Sequence, residues 1–184
     1  MIQESKNPWK IIHSTKVYDN NWISVTEHQV INPSAGKGIY GIVHFKNYAI
    51  GIVAIDVHQN IYLVGQYRLP LMQYSWEIPE GGGKLDTNPL DSAKRELLEE
   101  TGLIAQQWEE ILRMHLSNSV SNELSIIYLA TGLQQFTPEP EETEQLQVKK
   151  IPFNEAYEMV IKGVITDAIS VAAILKIKLL HLGH

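Results

Sequence analysis

The sequence predicts an α/β fold in which a mixed sheet lies between helices. Segments rich in Ile, Val and Tyr alternate with helical segments, and several of them follow one another after short turns. Short turns join antiparallel strands, whereas helical crossovers allow parallel pairing, so the two kinds of connection together predict a mixed sheet. At 184 residues the chain is long enough to bury one substantial core.

The individual elements follow from local composition. Strands are predicted over residues 11–17, 22–31, 39–45, 48–55, 61–67, 107–116, 125–131 and 145–151. Helices are predicted over residues 88–101, 154–162 and from residue 167 onward. Asn88 is the expected N-cap of the first helix, Pro89 its first residue and Gly102 its left-handed C-cap. In the last helix, five apolar residues are expected to face the core: Ile169, Val171, Ala172, Leu175 and Leu179.

Bulk composition excludes several classes of function. The chain has 15 Lys and Arg against 21 Asp and Glu, and the net charge of −6 argues against a broad nucleic-acid-binding surface. It has no cysteine, so disulfides, thiolate metal sites and a cysteine nucleophile are absent. The N-terminus lacks a secretory signal pattern, and no apolar run approaches the about 18 residues of a membrane span. We therefore expect a cytoplasmic protein with neither a nucleic-acid nor a membrane partner.

An acidic run in the first helix is the strongest functional signal. Residues 95–103 read Arg-Glu-Leu-Leu-Glu-Glu-Thr-Gly-Leu and follow a predicted glycine turn at residues 81–83. On a helix, Glu96 and Glu100 lie one turn apart on an exposed arc, and Glu99 lies between them and solvent. Hard divalent cations prefer such oxygen ligands, so the pattern predicts a Mg²⁺ or Mn²⁺ site. The apolar face of the same helix consists of Leu90, Ala93 and Leu97.

A charged run on a helix is more commonly a solvated face, in which Arg95 simply pairs with neighbouring acids. Two features favour the metal site over that alternative. The helix ends at Gly102, a good left-handed cap. It also follows glycines whose backbone can approach a ligand closely.

The spacing resembles the signature of the Nudix hydrolases, Gly-x5-Glu-x7-Arg-Glu-U-x-Glu-Glu-x-Gly-U, where U is a bulky aliphatic residue. Gly81 fills the first position, and the second half matches throughout at Arg95, Glu96, Leu97, Glu99, Glu100, Gly102 and Leu103. Thr87 departs from the signature, since it stands where the family has its first Glu. The resemblance implies an α/β/α sandwich and catalysis with a metal held by Glu96, Glu99, Glu100 and the Gly81 carbonyl. It also implies that Arg95 orients these carboxylates.

Other segments resemble one branch of the family, the ADP-ribose and nucleoside-diphosphate-sugar pyrophosphatases. Residues 66–70 resemble its Gln-Tyr-Arg stretch, residues 76–81 its Glu-U-Pro-x-Gly lead-in, and residues 163–168 its Gly-x-Ile-x-Asp-Ala close. Residues 9–45 resemble its N-terminal β subdomain, which exchanges across a homodimer. The resemblance therefore implies a small antiparallel β subdomain over residues 1–45, serving dimerisation, and a Nudix domain over residues 46–184.

The branch also implies roles for further residues. Arg68 is expected to contact the substrate diphosphate, for which a planar guanidinium fork is suited, and Glu77 is expected to bind substrate. Glu123 is expected to touch metal or substrate, with a plain strand-end charge as the alternative. Glu142 and Glu144 are the two candidates for the general base that activates water, with a solvated acidic loop as the alternative.

The resulting prediction is Mg²⁺-dependent hydrolysis of the diphosphate bond of nucleoside diphosphate sugars, ADP-ribose first, giving a nucleoside monophosphate and a sugar phosphate. Mn²⁺ is expected to substitute for Mg²⁺. One alternative is a Nudix pyrophosphatase for GDP-mannose, a dinucleoside polyphosphate or coenzyme A. Another is a Nudix-fold sensor that binds nucleotide sugars without turnover, which Thr87 favours and the intact Glu96, Glu99 and Glu100 oppose.

Overall fold

The computed structural model describes residues 6–136 and 146–182, with side chains to residue 180. The described chain forms two compact units. One comprises the described residues up to Lys46 together with Ser117–Glu123, and the other comprises the remainder.

The first unit is a three-stranded antiparallel sheet in the order β1-β2-β3. Its strands are β1 (Lys10–Asp19), β2 (Ile23–Ile31) and β3 (Lys37–Phe45). The Asn20 side chain closes the first turn by accepting hydrogen bonds from the Trp22 and Ile23 amides, both at 2.8 Å. The segment Ser117–Glu123 lies along β3, where the Val43 amide donates to the Val120 carbonyl at 2.8 Å. The predicted small antiparallel N-terminal sheet is thus confirmed.

Among the described residues, the second unit contains seven strands, three α-helices and a short 3₁₀ helix at Leu69–Leu71. The strands are β4 (Asn47–Ala54), β5 (Asn60–Arg68), β6 (Gln73–Glu77), β7 (Glu80–Lys84), β8 (Leu103–His115), β9 (Leu124–Gln135) and β10 (Gln147–Pro152). The helices are α1 (Pro89–Thr101), α2 (Phe153–Ile161) and α3 (Ala168–Leu182). One sheet has the order β7-β4-β9-β8 and is mixed, because β4 and β9 are parallel and the other pairs antiparallel. The second sheet, β10-β5-β6, is antiparallel.

Strand β4 separates two cores, because alternate residues of a strand point to opposite faces. Ile50, Ile52 and Ala54 pack in one cluster with α1, through Ala93 and Leu97. The other cluster contains residues of β4, α2 and α3 together with Ile55, which directly follows β4, namely Val53, Ile55, Phe153, Ala156, Ile169, Ala173, Ile174 and Ile177. Helices therefore cover both faces of the mixed sheet, and the predicted α/β/α sandwich is confirmed.

Helix α1 begins and ends where the sequence predicts. The Asn88 side chain accepts a hydrogen bond from the Leu90 amide at 3.1 Å, and Pro89 is the first helical residue. Gly102 adopts a left-handed φ of 69° and donates its amide to the Leu98 carbonyl. The cap residues fix these bounds because each satisfies a backbone group that the helix leaves unpaired.

Strands β6 and β7 were not expected from the sequence. The prediction of a glycine turn at residues 81–83 is wrong, because these residues pair with β4 in the register Ile50↔Gly81, Ala49↔Gly82 and Tyr48↔Gly83. The turn comes after the strand, where the Thr87 amide and hydroxyl both donate to the Lys84 carbonyl. Glycine weakens a strand in isolation, so pairing and packing with neighbours decide this segment's conformation.

The buried face of α3 differs from the predicted one. Leu179 is 68% exposed, whereas Ile169, Ala173, Ile174 and Ile177 are buried. The buried residues follow the four-residue spacing of one helix face, and the predicted set had mixed two faces. Within the described residues, no helix combines the length and the apolar character that a membrane crossing requires.

Candidate active site

Two acids of α1 face the backbone of β7. Glu96 and Glu100 are only 8% and 4% exposed, so the prediction of an exposed arc is wrong for this pair. Glu100 Oε2 accepts a hydrogen bond from the Glu80 amide at 3.0 Å. The Glu96 carboxyl group lies against Gly81, where an added Cβ would stand 2.1 Å from the carboxyl carbon. Helix α1 and strand β7 therefore hold two carboxylates at the start of the glycine-rich strand.

The three glycines of β7 have different surroundings. A Cβ at Gly81 would overlap the Glu96 carboxyl, and one at Gly83 would stand 2.8 Å from Cγ1 of Ile50. A Cβ at Gly82 would have its nearest neighbour, on Asn47, at 3.9 Å, which is ordinary contact. Gly81 is thus required for the approach of Glu96, and Gly82 is not.

Arg95 connects the acids of α1 to β7. It donates to Glu99 and Glu96, at 2.5 Å each, and to the Gly82 carbonyl at 3.1 Å. Burial opposes the charged form of Arg95, but the carboxylates of Glu96 and Glu99 outweigh it and raise the pKa of Arg95. Arg95 does pair with neighbouring acids, as the alternative interpretation required. The face is nevertheless not a solvated one, because Glu96 and Glu100 are buried.

The donors on α1 and β7 suit a hard divalent cation. Mg²⁺ is usually bound through one or two carboxylates together with waters and substrate phosphates, rather than by a complete protein cage. Glu96 and Glu100 supply two carboxylates, and the close approach that Gly81 allows brings the backbone of residues 80 and 81 beside them. In the chain from 6 to 136 and 146 to 182, no three His, Asp or Glu side chains form a ready-made metal cluster. The arrangement therefore fits a cation shared with a phosphate ligand.

A second charged cluster lies where β5, β6 and β7 begin or end. Arg68 Nε donates to both carboxylate oxygens of Glu77, at 3.0 and 3.1 Å, and its Nη2 also donates to Glu77. The same Nη2 donates to Glu80 Oε1 at 3.2 Å. Glu77 is 3% exposed, so its carboxylate is buried in a two-pronged contact with the guanidinium.

The two acids of this second cluster have opposite pKa shifts. Burial acts to raise the pKa of Glu77, but hydrogen bonds from Arg68 outweigh it and the net pKa lies below its ordinary value. Burial raises the pKa of Glu80 well above its ordinary value, and the nearby carboxylates of Asp167 and Glu77 add to that rise. Glu77 is therefore the charged partner of Arg68, and Glu80 resists ionisation.

Ser170, in the first turn of α3, is a contact of this region that sequence reasoning missed. Its side chain is fully buried, and its Oγ accepts a hydrogen bond from the Ile78 amide at 2.9 Å. Asp167 Oδ2 accepts from the Ser170 amide at 2.7 Å. The available signal was the position of Ser170 three residues after Asp167, whose residue type commonly caps helices, but no local pattern links α3 to Ile78.

The remaining predicted site residues lie elsewhere. Glu123 belongs to the first unit, in the segment Ser117–Glu123, where its amide donates to Ser121 Oγ at 3.4 Å. Glu142 and Glu144 fall outside the described residues. The described site therefore consists of the α1 acids with Arg95, the cluster around Arg68, and the β6–β7 connection between them.

Family models match both parts of the chain. The model for the NUDIX domain matches residues 46–172. The model for the nucleoside diphosphate sugar hydrolase N-terminal domain matches residues 9–43.

Several known proteins are similar to this chain. An ADP-ribose pyrophosphatase of Mycobacterium tuberculosis is 31% identical over 97% of this chain and 87% of that protein. A methanol dehydrogenase activator of Bacillus methanolicus is 27% identical over 90% of each chain. An ADP-ribose pyrophosphatase of Bacillus subtilis is 30% identical over 68% of this chain and 69% of that protein.

One solved structure, a crystal structure of an ADP compounds hydrolase, matches with a TM-score of 0.86 over 98% of both chains, at 19% identity. That likeness concerns the fold. The family is shown by the NUDIX match over more than half of the chain and by the 31% identical relative. The chain belongs to the Nudix hydrolase family.

Proposed function

We propose that this protein hydrolyses the diphosphate bond of nucleoside diphosphate sugars, with ADP-ribose as the first substrate, in a reaction that depends on Mg²⁺. The observation that carries the proposal is the buried pair of Glu96 and Glu100 packed against Gly81, within the matched NUDIX domain. The sugar-nucleotide substrate class is supported by the matched N-terminal domain over residues 9–43 and by the names of two relatives, both ADP-ribose pyrophosphatases. The products are a nucleoside monophosphate and a sugar phosphate.

In this proposal Glu96, Glu99, Glu100 and the Gly81 carbonyl would hold the cation. A divalent cation in such a site neutralises phosphate charge and makes water more acidic. Arg95 keeps the carboxylates in place, because it donates to Glu96 and Glu99 while bound to the β7 backbone. Mn²⁺ has the same preference for oxygen ligands and is proposed to substitute.

Arg68 is proposed to bind the diphosphate. A guanidinium has five N–H donors, and Glu77 takes up one edge of the fork through Nε and Nη2. That contact fixes the plane of the guanidinium, so the outer part of the 37% exposed side chain is presented in a defined direction. Glu77 was expected to bind substrate directly, and its buried pairing supports a role in holding Arg68.

The general base is proposed to be Glu142 or Glu144, which would accept a proton from the water that attacks phosphorus. Glu123 is retained as a proposed contact of metal or substrate. The homodimer formed through residues 1–45 is likewise a proposal, and the cytoplasmic location and the absence of nucleic-acid and membrane partners stay predictions from the sequence.

A second candidate is a sensor that binds nucleotide sugars without turnover. Thr87, in place of the first signature Glu, favours it, and its hydroxyl is used in the turn after β7. The intact set of Glu96, Glu99 and Glu100 favours catalysis instead, because a protein that only binds nucleotide sugars needs no carboxylates to hold a catalytic cation.

The test is Mg²⁺-dependent cleavage of ADP-ribose, GDP-mannose, UDP-glucose and NADH to nucleoside monophosphates, and of coenzyme A to adenosine 3′,5′-bisphosphate. We expect the fastest turnover with ADP-ribose and a loss of kcat of about 10³-fold in Glu96→Gln and Glu100→Gln, equivalent to about 4 kcal/mol. Glu109→Gln, at an exposed acid of β8 in the same unit, is the matched control and is expected to retain full activity. Turnover that survives both substitutions would contradict the metal assignment, and binding without turnover of any substrate would support the sensor.

A further inference from the structure

Residues 77–80 take the chain from one sheet of the second unit to the other. Glu77 is the last residue of β6, in the sheet β10-β5-β6, and Glu80 is the first of β7, in the mixed sheet. Pro79 has no amide hydrogen, and its carbonyl accepts from the Ile52 amide of β4 at 2.8 Å. Ile78 is fully buried, and its amide donates to Ser170 Oγ rather than to a strand neighbour. One side-chain oxygen thus satisfies the amide of the crossover.

We propose that Ser170, held by Asp167, is a positioning residue that fixes the β6–β7 crossover and thereby the backbone of Gly81 against Glu96 and Glu100. The hydrogen bond joins residues 92 positions apart in sequence and is buried at both ends. The catalytic part of this inference rests on the proposed function, whereas its structural part does not.

Helix α3 gives Ser170 a fixed location. Ile169 beside it packs on β4 so closely that a Cβ at Gly51 would stand 2.7 Å from Cγ2 of Ile169. The first turn of the helix is capped by Asp167, which accepts from the Ser170 amide through Oδ2 and from the Val171 amide through its carbonyl, at 2.7 and 2.9 Å. The hydroxyl is therefore carried by a helix end that is both capped and packed on the sheet.

The site needs Ser170 in a fixed location because the backbone at Gly81 has little room to move relative to Glu96. A Cβ at Gly81 would overlap all three atoms of the Glu96 carboxyl group, at 2.1 to 2.4 Å, so the backbone and the carboxyl are in close contact. The adjoining amide of Glu80 donates to Glu100 at 3.0 Å. A small shift of residues 78–80 would change the contacts of both acids at once. Substituting a residue that contacts a metal ligand, without contacting the metal itself, commonly changes metal affinity or activity by about 10- to 100-fold.

The experiment compares Ser170→Ala with Ser125→Ala. Ser125 is also fully buried in the second unit, but its Oγ has no hydrogen-bond partner among the described residues. Its substitution therefore removes a buried hydroxyl without breaking a hydrogen bond. Three quantities are measured: amide hydrogen exchange at Ile78, the Kd for Mn²⁺ alone, and kcat and KM for the nucleotide sugar. In Ser170→Ala we expect faster exchange at Ile78, about 10-fold weaker Mn²⁺ binding, and a lower kcat at nearly constant KM. Ser125→Ala is expected to match the wild type in all three.

Ser170→Thr restores the hydroxyl and is expected to recover slow exchange and Mn²⁺ affinity. If Ser170→Ala does not fold, Asp167→Asn and Asp167→Ala replace it, since Asn keeps a side-chain acceptor for the Ser170 amide and Ala does not. The proposal then predicts weaker Mn²⁺ binding and faster Ile78 exchange only in Asp167→Ala.

Wild-type exchange and Mn²⁺ affinity in Ser170→Ala, or equal losses in Ser125→Ala, would overturn the inference. A wild-type protein that hydrolyses no substrate contradicts only the proposed function, because exchange and Mn²⁺ binding are measured without turnover.

Discussion

The second unit contains two arginine–carboxylate clusters that share strand β7 and differ in how they are assembled. The helix cluster, formed by Arg95, Glu96, Glu99 and Glu100, comes from six consecutive residues of α1. The strand cluster, formed by Arg68, Glu77 and Glu80, comes from three strands. In the helix cluster Arg95 donates to Glu96 and Glu99 through one nitrogen each. In the strand cluster Arg68 donates to both carboxylate oxygens of the buried Glu77.

The difference separates a cluster suited to holding a cation from one that holds a guanidinium in a defined orientation. The helix cluster has three acids for one arginine, so it retains negative charge with which to attract a cation. In the strand cluster, Arg68 pairs with a Glu77 whose pKa is lowered, while burial raises the pKa of Glu80. Similar residues therefore contribute different properties: excess negative charge in one cluster, and a fixed guanidinium in the other.

The two clusters meet at the first residues of β7, and we expect a change at that junction to impair activity and stability together. Gly81→Ala places a Cβ inside the Glu96 carboxyl, so the acid or the strand must move. We expect kcat to fall by about 100-fold, equivalent to about 2.7 kcal/mol, and stability to fall by about 1–3 kcal/mol. Gly82→Ala has open space and is the matched control, with activity close to wild type. Steady-state kinetics and urea unfolding of both variants make the measurement, and equal activities would contradict the proposed approach of Glu96.

The helix cluster was largely predictable from the sequence because its contacts follow helix geometry. Arg95 and Glu99 stand four residues apart, and caps at Asn88 and Gly102 fixed the bounds of the helix. Burial of Glu96 and Glu100 was not predictable, since it depends on β7, whose glycines are typical of a turn. The strand at residues 80–84 exists because β4 pairs with it.

The strand cluster was only partly predictable, for the same physical reason. Arg68 and Glu77 were singled out by resemblance, yet their pairing depends on the antiparallel alignment of β5 with β6. The contact of Ser170 with Ile78 depends on the packing of α3, which no local pattern encodes. Contacts within one helix can thus be predicted from the spacing of residues. Contacts between elements can be predicted only when the register and packing of the whole unit are known.

The next prediction compares the two arginines directly. Arg68→Ala leaves Glu77 buried without its partner, so we expect a loss of about 3 kcal/mol in the free energy of unfolding. Arg95→Ala removes a 44% exposed guanidinium that donates to the buried Glu96 through a single nitrogen, so the expected loss is smaller, at about 1–2 kcal/mol. Urea denaturation in EDTA at pH 7 measures both without a contribution from bound metal. Equal losses, or a larger loss in Arg95→Ala, would contradict the conclusion that the contact of Glu77 with Arg68 is the stronger of the two.

The last prediction concerns the pH dependence that Glu77 gives to stability, which has to be measured in a background in which Glu80 does not titrate. Glu80 has the opposite sign, because a raised pKa gives stability that is present at low pH and lost as pH rises. We therefore compare Glu80→Gln with Glu77→Gln/Glu80→Gln in EDTA. Burial opposes ionisation of Glu77, but hydrogen bonds from Arg68 keep its folded pKa below the unfolded value. Its contribution is then complete above the unfolded pKa of about 4.3 and disappears as pH falls through the lower folded pKa.

At pH 7 the single variant is expected to be more stable than the double variant by about 1.5 kcal/mol, because the double variant lacks a hydrogen-bonded charged group. When urea unfolding is repeated between pH 6 and pH 3, the difference should stay nearly constant down to about pH 4.3 and shrink below it. A difference that grows as pH falls would mean that the protonated form of Glu77 is the stabilising one. Arg68 would then pair preferentially with another acid. Glu77 would not be the residue that fixes the guanidinium, and the contrast drawn between the two clusters would be wrong.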